Sequence, residues 1–180
     1  MTKNDLRGDV LKFWFGLEPG QWWRGTPELD DEIRRRFLEL WEEKRTLPVD
    51  SFLDHPLTAL AAVILFDQFP RNMFRGHADQ FSTDHLALQI ARAAIDREYD
   101  EKLEPQERGF LYMPFQHSED LDDQKRSLLL FTRLGNDEQL KYAKLHHDII
   151  ERFGRFPHRN EILGRAPRAD EIEAGEVVPW

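Results

Sequence analysis

Apolar residues recur along most of this chain at the spacing of a helix that buries one face. The clearest stripe follows Thr26, a predicted N-cap, and consists of Ile33, Phe37, Leu40 and Trp41. No segment of useful length alternates apolar and polar residues as a half-buried strand would. The pattern therefore predicts an all-α protein.

The same pattern, read together with proline, glycine and hydroxyl signals, places the individual helices. They begin near residues 9, 26, 55, 82, 105, 118 and 136, and a weak last helix follows Pro167. We expect the third helix to end before Pro70, the fifth to break at Pro114, and the seventh to stop at Gly154. The prediction is a single domain, residues 1–180, of seven or eight antiparallel helices.

Composition narrows the classes of protein. The chain has 180 residues, 40% hydrophobic and 33% charged, with no cysteine and a net charge of −9. Disulfides and cysteine-based zinc sites are excluded, and the acidic balance argues against nucleic-acid binding. The longest apolar run, residues 57–66, is about half of a bilayer span and predicts a buried helix, and residues 1–10 lack a signal-peptide core. We expect a cytoplasmic protein that does not enter membranes.

Three segments carry more side-chain chemistry than ordinary connectors, which are small and polar. They are residues 67–76, 114–120 and 154–160, and each mixes aromatics, proline and charged or imidazole groups. We interpret them as loops just past helices. If successive helices reverse direction, all three lie at one pole, together with the loop that carries Trp22. The alternation of helix direction therefore predicts one site, formed by these loops.

The guanidinium group of arginine binds a carboxylate or a phosphate through two directional hydrogen bonds, and aromatic side chains often line ligand pockets. The first hypothesis is therefore a protein that binds a small anion or a peptide carboxylate. Its predicted ligand-binding residues are Arg71, Asn72, Arg155, Arg159, Asn160 and Trp22. The structural alternative is that these arginines pair with nearby acids or satisfy carbonyls at helix ends.

The second hypothesis is an acid/base or metal-dependent enzyme of hydrolase type at the same pole. Imidazole beside carboxylate suits proton transfer, and the candidates are His117, Glu119, His158 and Asp67. The alternative for this segment is that Ser118 caps the sixth helix. The third hypothesis is a protein–protein interaction module that uses Trp22 or Trp23.

Two adjacent histidines in the seventh helix bear on the choice. His147 and Glu151 lie one turn apart, but the two-histidine zinc pattern is absent, so neither a metal site nor a cofactor is assigned. The apolar stripe of this helix passes through His146 or His147. We expect one of them to be a core histidine bonded to a carbonyl.

The motifs at residues 10–16, 67–76, 110–115, 117–120, 147–150 and 152–160 resemble those of a bacterial family known as domain of unknown function 924. The resemblance covers nearly the whole chain. It implies a tetratricopeptide-like helical fold, an α–α superhelix, and it supplies no activity to transfer.

Overall fold

The computed structural model describes residues 5–180, and helices, short turns and connecting segments account for them without a strand. Residues 1–4, part of the amino-terminal segment considered above, lie outside the described residues. The all-α prediction is confirmed, whereas the tetratricopeptide-like arrangement stays a prediction. The helices are α1 (Leu6–Phe15), α2 (Pro19–Trp23), α3 (Pro27–Lys44), α4 (Pro56–Val63), α5 (Phe69–Met73), α6 (Asp84–Asp96), α7 (Pro105–His117), α8 (Leu121–Leu134), α9 (Asp137–Phe153), α10 (Asn160–Leu163) and α11 (Ala169–Ala174).

The chain divides into two units. The first ends at Leu111, and the second covers Tyr112–Trp180, so that the boundary falls inside α7. The helices predicted from the pattern correspond to α1, α3, α4, α6, α7, α8, α9 and α11, while α2, α5 and α10 are additional short helices. The single domain over residues 1–180 and the common pole both stay predictions.

The core of the first unit is built on the apolar run in α4. Every residue from 59 to 70 is buried, as the run at residues 57–66 predicts. The Phe69 ring lies at its centre, 4.6 Å from Phe37, 5.7 Å from Trp14 and 6.0 Å from Phe13 between ring centroids. Ring pairs at these distances, two of them edge-to-face, add to the stabilisation that burial supplies.

Pro70 does not end the third predicted helix, and this corrects the expectation. The chain passes from α4 through a π-helical turn, Ile64–Gln68, directly into α5, where Pro70 occupies the first turn. Proline has no N–H for the carbonyl of Phe66. The Thr83 hydroxyl donates to that carbonyl instead at 2.7 Å, and the Trp41 indole N–H donates to the Thr83 oxygen at 3.1 Å. Because Phe66 O has a partner, a proline is tolerated here.

The second unit contains α8 and α9 as its long helices. Gly135, with φ of 75°, ends α8 in the left-handed conformation that glycine adopts readily. Asn136 then caps α9 by accepting from the Gln139 N–H at 3.0 Å, as predicted. Farther along the chain, a small apolar core forms from Ile149, Ile150, Phe153 and Phe156, with Leu121, Ala174 and Val177 packed against it.

Two expectations about residues 114–120 are wrong. Pro114 lies inside α7, which continues to His117, so the segment is not a loop throughout. Asp120, and not Ser118, caps α8 by accepting from two backbone N–H groups. The buried Gln124 amide donates to the carbonyls of Gln116 and Ser118 at 2.8 and 2.7 Å and so closes the end of α7.

Candidate functional site

In the first unit, Arg71 is held by acids. Its guanidinium donates to both carboxylate oxygens of Asp84, at 2.8 and 2.9 Å, and lies 3.7 Å from the fully buried carboxylate of Asp67. Burial opposes the charged form, but the two carboxylates outweigh it and raise the pKa of Arg71. Arg71 thus pairs with nearby acids, as the structural alternative has it, and Asp84 is the partner that the sequence did not indicate.

Asp30 organises a second polar contact set, called here the Asp30 cluster. The Asn72 amide donates to Asp30 Oδ1 at 2.8 Å, and Arg75 donates to both carboxylate oxygens at 2.6 and 2.9 Å. Burial tends to raise the pKa of Asp30, yet the hydrogen bonds from Arg75 and Asn72 prevail and lower it. Asn72 therefore ties α5 to the first turn of α3.

Trp22 belongs to an aromatic cluster of the same unit. Its indole N–H donates to the carbonyl of Trp14 at 2.8 Å, and its ring lies 5.2 Å from Phe110. Trp23 stacks on Phe110 at 5.9 Å with an interplanar angle of 14°, and 57% of Trp23 stays exposed. Trp22 is thus a packing residue, and Trp23 presents the exposed ring.

In the second unit, Glu171 gathers three partners, called here the Glu171 cluster. Arg155 donates to both of its carboxylate oxygens at 2.6 and 2.9 Å, and the Asn160 amide and the Arg168 N–H donate at 2.9 and 2.8 Å. The hydrogen bond from Arg155 is the main cause that lowers the pKa of Glu171 to about 2. Arg155 and Asn160 therefore fasten the chain after α9 to α11.

Glu119 performs a similar task beside this cluster. Its carboxylate accepts two hydrogen bonds from the Arg165 guanidinium, at 2.8 and 3.0 Å, and one from the Phe156 N–H at 2.8 Å. Burial tends to raise the pKa of Glu119, but the hydrogen bonds from Arg165 and Phe156 outweigh burial and lower it. Glu119 is thus an ionised anchor for the turn at Phe156.

Around Phe156 the second unit assembles an imidazole group, defined by His117, His146, His158 and Arg159. The fully buried Phe156 ring lies 5.5 Å from His146 and 5.6 Å from His158, and the Arg159 guanidinium covers it at 4.6 Å. His117 lies 6.2 Å from His146, and its carbonyl accepts from Arg159 at 3.0 Å. Three imidazoles and one guanidinium therefore share one small region.

His146 is the residue of this group that the site prediction missed. Its Nδ1–H donates to the carbonyl of Tyr142 at 2.8 Å, so the expected bond to a carbonyl is present, whereas the residue is half-buried and not part of the core. Burial is the main cause that lowers the pKa of His146 to about 3, and the charges of His117, Arg159 and His158 act in the same direction. The apolar stripe of α9 was the signal that could have placed it here.

The predicted residues divide between the two units, and within each unit they belong to the separate groups described above. Asp67, Arg71, Asn72 and Trp22 belong to the first unit, and His117, Glu119, Arg155, His158, Arg159 and Asn160 belong to the second. Asp30, Asp84 and Glu171, the carboxylates that hold the arginines, were missing from the prediction. Asp30 stands in the first turn of a helix, where an acid is favourable without a distant partner, and Glu171 lies in the weakest predicted helix.

Comparison with known proteins gives this all-helical architecture a family. A family model described as "Bacterial protein of unknown function (DUF924)" matches residues 10–174, and the chain belongs to this family, as the motifs indicated. A solved structure of a protein of unknown function from Agrobacterium tumefaciens is similar, with 38% identity and a TM-score of 0.89 over 95% of this chain and 97% of that one. No curated protein matches the chain. Within residues 5–180, none of the helices combines the length and the apolar composition that crossing a bilayer requires.

Proposed function

We propose that this protein binds a small anion, a carboxylate or a phosphate, at the imidazole group of the second unit. The observation that carries the proposal is the collection of His117, His146, His158 and Arg159 around the Phe156 ring. Imidazolium and guanidinium groups are the side chains that bind such anions in charge-assisted hydrogen bonds.

The tautomer of His146 supports this role. Because Nδ1 carries the proton that Tyr142 O accepts, Nε2 is the ring atom that can take up a further proton. An anion placed beside His146 would favour the charged imidazolium and raise its pKa, opposing the effect of burial and of the neighbouring cations. Binding is therefore coupled to proton uptake.

The arginines of the sequence prediction have two different roles in this proposal. Arg71 and Arg155 direct their forks at Asp84 and Glu171, so we assign them to positioning the chain. Arg159, buried at 7% exposure and in contact with the Phe156 face, is the guanidinium assigned to the ligand. Glu119 also acts electrostatically on Arg159 and holds the Phe156 turn in place.

Acid/base catalysis is the second candidate, and the closeness of His117 to His146 favours it. A pKa of about 3 makes His146 a weak base near neutral pH, so proton transfer would fall to His117 or His158. The interaction module rests on the exposed Trp23 ring alone. We propose a cytoplasmic location, which the lack of cysteine supports.

The test is an NMR titration of the imidazole Cε1–H signals with inorganic phosphate and with acetate, at pH 6 and at constant ionic strength set with chloride. We expect saturable shifts of the His146 signal and proton uptake on binding, measured by calorimetry in buffers of different ionisation enthalpy. His146→Gln and Arg159→Gln should each weaken binding at least about tenfold, the loss of one charged contact.

His147→Gln is the matched control, since it alters the neighbouring histidine of the same helix and should leave the affinity unchanged. The proposal fails if chloride alone reproduces the shifts, or if His146→Gln and His147→Gln bind phosphate and acetate as the wild type does. Circular dichroism of each variant should match that of the wild type, so that a loss of binding is not a loss of helix. A turnover that depends on His117 or His158, without saturable anion binding, would favour the enzyme instead.

A further inference from the structure

A second group of polar side chains lies on α9, one residue beyond His146. His147, Asp148 and Glu151 each offer one ligand atom, and these atoms all lie within 4.8 Å of one another. His147 Nδ1 is 3.3 Å from Asp148 Oδ1. From these positions we propose that α9 carries a binding site for a divalent transition-metal cation, formed by His147, Asp148 and Glu151.

Helix geometry prearranges the donors. His147 and Glu151 are four residues apart, so their side chains leave the same face of α9. The buried residues Ala143, Ile150 and Phe153 hold the adjoining face of the helix against the rest of the unit. Because the backbone is already ordered, cation binding would have to order only the side chains.

The three donor side chains differ in exposure, as expected for a cation site that is open to water. The His147 side chain is 14% exposed, whereas that of Asp148 is 72% exposed and Glu151 is also exposed. The ring is thus held by its surroundings, while the two carboxylates are able to rotate. Metal–ligand bonds of about 2.0–2.2 Å require the donor atoms to approach one another more closely than they do here, and rotation of the exposed carboxylates supplies that movement.

The donor set selects the class of cation. One imidazole nitrogen and two carboxylates suit Zn²⁺, Co²⁺ or Ni²⁺, whereas Ca²⁺ and Mg²⁺ prefer sites made of oxygen alone. Two carboxylates also bring negative charge that compensates a divalent ion. Three protein ligands leave coordination positions for water, which is the arrangement of an open site and not of a closed structural one.

The probe is Zn²⁺ in isothermal titration calorimetry, with Co²⁺ absorption in the visible range as a second readout of the ligands. We expect one Zn²⁺ per chain with micromolar affinity. His147→Gln should weaken it at least about tenfold and Glu151→Gln about three- to tenfold, and in both variants the Co²⁺ spectrum should change. His146→Gln, the matched neighbour, should bind Zn²⁺ within twofold of the wild type.

The proposal is overturned if Zn²⁺ does not bind below millimolar concentration, or if His147→Gln and Glu151→Gln bind it as tightly as the wild type. It is also overturned if His146→Gln removes the binding, because the ion would then belong to the imidazole group. The reciprocal use of the two histidine variants separates this site from the anion site, since each variant is the control for the other experiment.

Discussion

The Asp30 cluster of the first unit and the Glu171 cluster of the second are built from the same parts. Each has a carboxylate that receives an asparagine amide and both prongs of one arginine: Asn72 and Arg75 for Asp30, Asn160 and Arg155 for Glu171. The asparagines end related stretches, FPRN at residues 69–72 and FPHRN at residues 156–160. Segments that resemble ligand clamps in the sequence therefore serve in both units to fasten the chain to itself.

The two clusters differ in span and in exposure. Asp30 lies 42 and 45 residues from its partners, and Glu171 lies 11 and 16 residues from its own. By loop-closure entropy, the longer spans cost about 1 kcal/mol more to close. The Arg75 side chain is 53% exposed, whereas those of Arg155 and Glu171 are 12% and 2% exposed. Because the ion pair of Glu171 with Arg155 is the more buried one, losing one of its partners should destabilise the protein more.

Breaking the Glu171 cluster should give the largest effect. Glu171→Gln removes the charge that holds Arg155 in a largely buried site, and we expect the melting temperature to fall by roughly 10 °C. Glu173→Gln, an exposed neighbour in α11, is the control and should melt as the wild type does. Equal melting temperatures for the two variants would show that the fork adds nothing to stability.

The same residue predicts a dependence on acid. The pKa of Glu171 is about 2 in the folded protein, below the ordinary glutamate value of 4.5. A lowered folded-state pKa means that the stabilisation is complete above pH 4.5 and is lost as the pH falls toward 2. Urea unfolding between pH 5 and 2.5 should show this loss in the wild type and a shallower slope in Glu171→Gln. Parallel slopes would contradict it.

Breaking the Asp30 cluster should have a smaller effect, because water reaches Arg75. Asp30→Asn weakens two contacts to a charged group, and we expect the free energy of unfolding to fall by about 2–3 kcal/mol. Asp31→Asn is the control, since its pair with Arg34 is exposed and should change stability by less than about 0.5 kcal/mol. If Asp30→Asn lost more than Glu171→Gln, exposure would not be what separates the clusters.

Gly25 offers a finer test of the Asp30 cluster. A methyl group at Gly25 would overlap with Arg75 Nη2, so Gly25→Ala should push the guanidinium off Asp30. We expect a loss of about 1–2 kcal/mol in urea unfolding, the value of a hydrogen bond to a charged group. In an Arg75→Met background the same substitution should be nearly neutral. Gly20→Ala, with open space around it, is the control.

A substitution in the imidazole group of the second unit should have the smallest effect on stability at pH 7. His146 is neutral there in both the folded and the unfolded chain, so His146→Gln should change little. Below pH 6.5 His146 becomes protonated in the unfolded chain. In the folded chain it stays neutral, because its pKa there is about 3. Wild-type stability should therefore fall with acidification, by up to about 1.4 kcal/mol per pH unit, and less steeply in His146→Gln. A His147→Gln control should keep the wild-type slope.

Local sequence determined the helical character of this chain. The periodic stripe in α3, the Thr26 and Asn136 caps and the Gly154 stop are decided by contacts within a few residues, and each appears where the sequence placed it. The same periodicity predicted that His146 or His147 lies on the apolar face of α9, and the structure places His146 beside Phe156. Such features can be predicted because their partners are neighbours in the chain.

Tertiary structure alone decided which side chains the unusual segments would meet. Pro70 continues a helix because Thr83, 17 residues from Phe66, takes the carbonyl that the proline leaves without a donor. Arg75 and Arg155 belong to Asp30 and Glu171 because folding brings those carboxylates to them from other helices. A sequence shows that an arginine can bind a carboxylate through two hydrogen bonds. Many acids of the chain could be that partner, and only the folded structure selects one of them.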